Sequence, residues 1–322
     1  MRNFLTLSSK IVGVAVFALL LTVSSFAQPK LTRAMDTDLD LKADFSVFRP
    51  TNNFWYISKS GGGFVFQPFG TAGDDVPAPG DFDGDLKGDI SVWRDSTGYW
   101  FRLNSSDSTF VATPWGMTGD EAIGRDFDGD NKTDCAVIRR SNGQMNWYIL
   151  RSSDGGFTGN TFGLTTDFSA PGDYDGDGKW DVAVQRPGAN ANAQGTFYIL
   201  QSSNGGLLSY GWGLSNDLVV PGDYDGDGKT DVAVAREGST PGSQINWYIL
   251  RSSDLGFQAL AWGSTGTDYT VQNDYDGDGK CDIAVWRDST GGFYVNRSSD
   301  NGFLVMNWGT ANDLPIASYD SH

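Results

Sequence analysis

Ala170 to Val184 reads APGDYDGDGKWDVAV, and it places four carboxylates, Asp173, Asp175, Asp177 and Asp181, within nine residues directly ahead of an apolar run. The same spacing recurs along the chain. Its other copies carry Asp36, Asp38, Asp40 and Asp44; Asp81, Asp83, Asp85 and Asp89; Asp126, Asp128, Asp130 and Asp134; Asp223, Asp225, Asp227 and Asp231; and Asp274, Asp276, Asp278 and Asp282. Thirteen residues after each first Asp stands an arginine: Arg49, Arg94, Arg139, Arg186, Arg236 and Arg287. An aromatic follows (Trp55, Trp100, Trp147, Phe197, Trp247, Phe293), and then an aromatic-Gly pair led by Phe69, Trp115, Phe162, Trp212, Trp262 or Trp308. Six copies of one unit therefore fill the chain.

Successive loops start 45, 45, 47, 50 and 51 residues apart, and the growth lies in the connection from the arginine to the next aromatic. Segments such as DVAVAR, NWYILRSS and GFQALAWG are rich in β-branched and aromatic residues and are separated by Gly-bearing turns. Four short strands every 45 to 50 residues predict an all-β fold, a six-bladed β-propeller of four-stranded blades, because one small sheet cannot bury its own faces. Unit one lacks a preceding innermost strand, whereas the chain ends with a spare segment, Asn312 to Asp320, which resembles the start of the loop region in unit five. Closing the first blade with that C-terminal strand leaves no sheet edge open. A seven-bladed ring is the alternative, although a seventh unit is not present. In a six-bladed ring Cys135 and Cys281 stand in blades three and six, half a turn apart, too far for a disulfide. Two free, mostly buried thiols are expected.

The chain begins with Arg2 and Lys10 before an apolar run from Ile11 to Val23 and small residues at Ser25 and Ala27, which reads as a secretory signal peptide over residues 1–27. A lead over 28–35 and one propeller over 36–322 complete the expected layout. No later apolar run is long enough to span a bilayer as a helix, so the exported chain is expected to be secreted, periplasmic or on the cell surface, without membrane insertion after cleavage. The formal charge of -17 argues against nucleic acid as a partner, since phosphate binding needs clustered Lys and Arg.

Each loop offers side-chain oxygens at positions 1, 3, 5 and 9 and a backbone carbonyl at position 7, a hard-oxygen donor set suited to Ca²⁺. An EF-hand would need Glu at position 12, where all six units have Val, and a catalytic carboxylate pair would be expected once rather than six times. Zn²⁺ is disfavoured by the lack of a His or Cys cluster. The bland alternative is a metal-free acidic turn, and six uncompensated clusters weigh against it through mutual repulsion. Units four to six have Gly at positions 4 and 6; unit three has Asn131, unit two has Leu86, and unit one has Leu39 and Leu41, so Ca²⁺ is expected foremost in the loops starting at 173, 223 and 274, less in units three and two, and the first site is expected to be weak or empty.

The stretch from Ala170 to Val184, with a later Trp-Gly or Phe-Gly, resembles the FG-GAP repeat of integrin α-subunit propellers and the VCBS-type repeats of exported bacterial proteins. The resemblance covers roughly Asp36 to Asp320. It implies up to six Ca²⁺ ions, each in the loop between the first and second strands of a blade, with the acidic positions as ligands. Integrin propellers have seven blades, so six is a departure.

The single His is the last residue, His322, and no nucleophile elbow, phosphate loop or dinucleotide fingerprint occurs, which predicts no enzyme. A polysaccharide lyase working with carboxylates, Tyr or Arg, or a purely structural scaffold, are the alternatives to a non-catalytic binding or adhesion module. The six arginines are expected to pair with Asp75, Asp120, Asp167, Asp217, Asp268 and Asp313, and the repeated aromatics to pack between blades. Where the units differ, three connections rich in Asn, Gln, Ser and Gly stand out: Arg140 to Asn146, Pro187 to Thr196 and Glu237 to Asn246. They predict a raised polar wall opposite the Asp loops, suited to a glycan or an extracellular protein ligand, on a protein expected to be a monomer.

Overall fold

The computed structural model describes residues 34–317. The predicted leader and most of the lead lie outside the described residues, as do the last five residues of the chain. Six four-stranded antiparallel sheets are present among the described residues and no helix, so the chain is all-β and six-bladed rather than seven-bladed. In blade four the innermost strand is Phe168–Ser169, followed outward by Val182–Arg186, Gln194–Leu200 and Leu207–Leu214. The Asp loop joins the innermost strand to the second, and the isolated bridge Gly172 to Asp181 closes its neck.

Burial peaks at the second strand and falls outward from it, while the short innermost strand is only partly covered. The second strand (VAVQR in blade four) is buried on both faces except at its terminal arginine. The third strand alternates buried and part-buried residues, and the outermost alternates exposed and part-buried ones, as period-2 patterning requires. The core lies between blades. One cluster joins Val220, Ala233, Ile245 and Trp247 of blade five to Cys281, Ile283 and Val285 of blade six, and comparable clusters join blades three to four and four to five. The third-strand aromatics Trp55, Trp100, Trp147, Phe197, Trp247 and Phe293 are among the largest fully buried side chains, which places the repeated aromatics where the spacing put them.

Blade one is completed by the C-terminal strand Leu314–Ile316, which pairs with Phe45–Arg49 through Ser46 to Ile316 and Phe48 to Leu314. The closure is fastened at both faces. Arg49 donates from Nε and Nη2 to Asp313 at 2.8 Å each, across 264 residues of sequence. On the loop face the Ala43 amide donates to the Asp274 carbonyl of blade six at 2.7 Å. Cys135 and Cys281 are free and buried, and burial pushes the Cys135 thiol up to about 12.

The Arg49 fork predicts a test of closure. Replacing Asp313 by Ala leaves the guanidinium without its partner and frees the Thr310 amide that also donates to Asp313 at 2.9 Å. A loss of about 2–3 kcal/mol is expected, less than for a fully buried pair because Arg49 keeps about a quarter of its side chain in water. Urea unfolding that matches the parent protein would show that the pair does not hold the ring shut.

Candidate metal centres

The Asp loops share one hydrogen-bond design. The position-1 carboxylate takes the amides of positions 4 and 6 on its two oxygens: Gly176 at 2.8 Å and Gly178 at 3.0 Å for Asp173, Gly84 at 2.7 Å and Leu86 at 3.0 Å for Asp81, and Leu39 at 2.7 Å and Leu41 at 3.0 Å for Asp36. Curling the chain around one carboxylate in this way forces positive φ at both positions. Glycine meets that demand at Gly176 and Gly178 (77° and 92°), but Leu39, Leu41 and Leu86 also adopt it, at 67°, 68° and 73°. The loop is therefore kept in units one and two, at the expense of local strain.

Position 9 ties the loop to the blade. Asp181 Oδ2 accepts the Tyr174 amide at 2.9 Å and its Oδ1 accepts the Ser202 amide at 2.7 Å. Ser202 belongs to a Ser-Ser pair in the turn between the third and outermost strands. Its hydroxyl donates to Asp177 at 3.0 Å, and the Ser203 hydroxyl donates to Asp175 at 2.6 Å. Blades two, three, five and six repeat this with Ser105 and Ser106, Ser152 and Ser153, Ser252 and Ser253, and Ser298 and Ser299. The sequence reading overlooked these serines, although SS recurs at a fixed offset after the third strand and could have been found by that spacing.

Blade one departs from the pattern. It has Ser60 followed by Gly61, so Asp38 has no serine hydroxyl for its Oδ2, and its Oδ1, which takes the position-5 amide in the other five blades, is buried without a hydrogen-bond partner. A buried carboxylate oxygen of this kind is costly unless a cation meets it.

Ligating oxygens gather within 4.8 Å of one another in Asp36, Asp38 and Asp40; Asp81, Asp83 and Asp85; Asp126, Asp128 and Asp134; Asp173, Asp175 and Asp177; and Asp223, Asp225 and Asp231. Asp274, Asp276, Asp278 and Asp282 occupy the same loop positions in blade six, with the same Gly277 and Gly279 amides on Asp274 at 2.6 and 2.9 Å. Asp44, Asp89, Asp130, Asp181 and Asp227 complete the predicted sets, and Asp134 and Asp231 share the brace role of Asp181. The donors are all oxygen, and each loop has four carboxylates against one lysine. That lysine lies across the preceding loop: a Cβ on Gly84 would stand 2.6 Å from Lys132 Cε, and Lys132 Nζ donates to the Asp83 carbonyl at 3.0 Å. The residues fit a hard cation such as Ca²⁺.

Burial shifts the brace carboxylates away from the ionised form. It raises Asp89, Asp134 and Asp181 to about 6 and Asp231 and Asp282 to about 7, and it moves Asp44 the same way. Asp223 and Asp274 rise to about 6 for the same reason.

On the opposite face every predicted Arg-Asp pair is present. Arg94 meets Asp75, Arg139 meets Asp120, Arg186 meets Asp167, Arg236 meets Asp217 and Arg287 meets Asp268, each through Nε and Nη2. Each guanidinium also lies over a third-strand ring, as Arg236 does over Tyr248 at 4.6 Å. The arginines are thus committed to the fold. The predicted wall is smaller than expected. Arg140 to Asn146 is not a loop: the second and third strands of blade three run on to Ser141 and from Gln144, joined by a two-residue turn with Asn142 and Gly143 at φ 52° and 78°. An Asn-Gly pair with positive φ at both residues closes a hairpin, so the extra length went into paired strand. Pro187 to Ala193 and Glu237 to Ser243 are connections, mostly exposed, and strand resumes at Gln194 and Gln244.

Residues 126–184, from the Asp loop of blade three to the second strand of blade four, match the FG-GAP-like repeat family. The chain carries an FG-GAP-like repeat. No curated protein matches the chain. Among solved structures, a streptogramin B lyase is 12% identical, with 84% of each chain covered and a TM-score of 0.49. The hydrazine synthase of Kuenenia stuttgartiensis is 14% identical, covers 81% of this chain and 82% of its own, and has a TM-score of 0.42. Neither likeness bears on activity. The FG-GAP-like unit supplies the loop whose geometry is described above, and the other five units repeat that geometry.

Two outcomes follow from the loops. Leu86→Gly is expected to stabilise by about 0.5–1 kcal/mol, the strain of a left-handed L-residue less the extra chain entropy of glycine, because Leu86 is largely exposed and gives up little burial. Unfolding that becomes easier would refute the strain. The second outcome concerns pH. A carboxylate whose folded value lies above its unfolded value of about 3.9 favours the fold while protonated, and that support is lost as pH rises through about 6 to 7. In chelator the melting temperature is therefore expected to fall from pH 5 to pH 7.5, and added Ca²⁺ should remove the fall; a chelated protein equally stable at both pH values would contradict it.

Proposed function

We propose that the chain is an exported, Ca²⁺-braced propeller that works as a non-catalytic binding or adhesion module for a glycan or an extracellular protein. The observation that carries this reading is the asymmetry of the two faces. On one face carboxylates and serines are consumed in six near-identical loops. On the other the arginines are consumed in ion pairs, and only blades four and five add exposed polar connections, Pro187 to Ala193 and Glu237 to Ser243. Repetition serves the scaffold, and departures from it are free to serve a ligand. The oxygen-only clusters, the orphaned Asp38 oxygen and the FG-GAP-like repeat support Ca²⁺ as the cation held by the loop aspartates. The leader read from the sequence supports export, and no described helix is long and apolar enough to cross a membrane.

Chelation and a ligand screen test the reading together. EDTA at neutral pH is expected to lower the melting temperature and Ca²⁺ to restore it, since a ligand that binds only the folded state stabilises it by mass action. Arrays of glycans and matrix proteins should return a ligand whose binding is lost when the blade-four and blade-five connections are cut to the length found in blade six. Binding untouched by the cut would refute the wall, and turnover of a polysaccharide would replace the module with a lyase.

A further inference from the structure

At four of the six blade boundaries the tryptophan of the aromatic-Gly pair reaches into the next blade and donates from Nε1 to a third-strand carbonyl. Trp115 meets Tyr148 at 3.0 Å, Trp212 meets Tyr248 at 3.1 Å, Trp262 meets Tyr294 at 3.0 Å and Trp308 meets Tyr56 at 3.0 Å. The outermost-strand ring of the next blade closes over the indole, as Phe157 does over Trp115 at 5.6 Å and Phe303 over Trp262 at 5.4 Å. Blade one has Phe69 at this place, a smaller ring without an N–H, facing Phe101 and Phe110 of blade two. Phe69 and Phe110 stand 6.3 Å apart, and a pocket of 570 Å³ opens between the blades, within the range of small-ligand sites.

The pocket has apolar walls and two unused donors. Phe101 and Phe110 lie 5.9 Å apart and nearly parallel, and Phe110 is 59% exposed. Arg94 gives Nε and Nη2 to Asp75, and Nη2 also to Thr71 Oγ1, which leaves Nη1 without a protein partner. Asn53 accepts the Ala72 amide on Oδ1 and leaves its amide nitrogen unused. Charge narrows the ligand. Arg94 is already balanced by the Asp75 fork, with Asp74 a further 3.8 Å contact, in a chain of net charge -17, so an anion gains little here. A wholly apolar ligand would bury two donors unmet, at a cost in free energy. A ring with apolar C–H faces and hydroxyl oxygens at its edge satisfies both features.

We propose that the pocket between blades one and two binds one uncharged pyranose residue, its face against the exposed Phe110 ring beside Phe101, whose own face carries Arg94 at 4.6 Å, and its oxygens toward Arg94 Nη1 and the Asn53 amide. This rests on the binding-module reading but places the contact away from the blade-four and blade-five connections. The deciding variant is Phe69→Trp, which fills the pocket with the side chain four other boundaries already accommodate and can add the missing N–H bond to the Phe101 carbonyl. Full-length protein with Ca²⁺ is titrated with glucose, galactose, mannose, fucose and N-acetylglucosamine, read by saturation-transfer NMR and calorimetry. At least one sugar is expected to bind the parent protein, with affinity down tenfold or more in Phe69→Trp and in Phe110→Ala, and unchanged in the control Phe162→Trp at the boundary of blades three and four. Melting temperatures of the tryptophan variants should not fall. Failure of every sugar to bind, or equal binding by Phe69→Trp, overturns the pocket. Binding that survives Phe69→Trp and is lost on shortening the blade-four and blade-five connections overturns it too, yet leaves the module reading standing.

Discussion

Each position-1 aspartate works in two directions. Its carboxylate gathers the amides that curl its own loop, while its backbone carbonyl accepts the position-8 amide of the next loop along the ring. Gly88 donates to Asp36 at 2.8 Å, Thr133 to Asp81 at 2.6 Å, Trp180 to Asp126 at 2.9 Å, Thr230 to Asp173 at 2.8 Å, Cys281 to Asp223 at 2.6 Å and Ala43 to Asp274 at 2.7 Å. Six hydrogen bonds thus form a closed circuit. The backbone amide is available whatever the residue, which is why Gly, Thr, Trp, Cys and Ala all serve at position 8. A loop that lost its curl would withdraw both its own carbonyl and the amide it offers to the preceding blade, so the constraint on one turn is a constraint on three blades.

The same dependence explains why strain at Leu39, Leu41 and Leu86 is tolerated. A left-handed leucine costs about 1–2 kcal/mol. Abandoning the turn would free the neighbouring amide and carbonyl and unseat the inter-blade clusters as well, each change of comparable size. Blades four to six, with glycine at these places, form the unstrained part of the ring. The closing blade, where N- and C-terminal chain segments meet, carries two of the three leucines and so the weakest loop backbone.

Much of this could be read in advance because each repeated residue has a role set by local chemistry. Asp at 1, 3, 5 and 9, Arg at 14 and the aromatic-Gly pair each meet a need that recurs at fixed spacing, so blade count, ring closure, the Arg-Asp forks and the unpaired cysteines were legible. The serine pairs are legible only as a recurring SS, not by role, because their partners lie 20 to 28 residues away and two serines in a turn look like ordinary turn composition. Arg140 to Asn146 was misread for the opposite reason. Added length reads as loop, although Asn142-Gly143 carries a hairpin signal that turns added residues into paired strand. The space beside Phe69 resisted reading altogether, since Phe162 stands at the same place in blade three and the residue type alone does not mark a pocket.

Function in a repeat protein is sought where the repeat fails, and here the failures are of two kinds. At Leu39 and Leu41 the pattern weakens while the geometry is preserved, which marks relaxation of a structural demand. At Phe69 and in the connections after Arg186 and Arg236 the geometry itself changes, and in each case the change falls on the arginine face. That face is where ion pairing has already cancelled the repeated charge. A ligand there meets phenyl rings, amides and hydroxyls in place of the carboxylate field of the loop face, together with the spare N–H of an arginine whose charge its aspartate already balances.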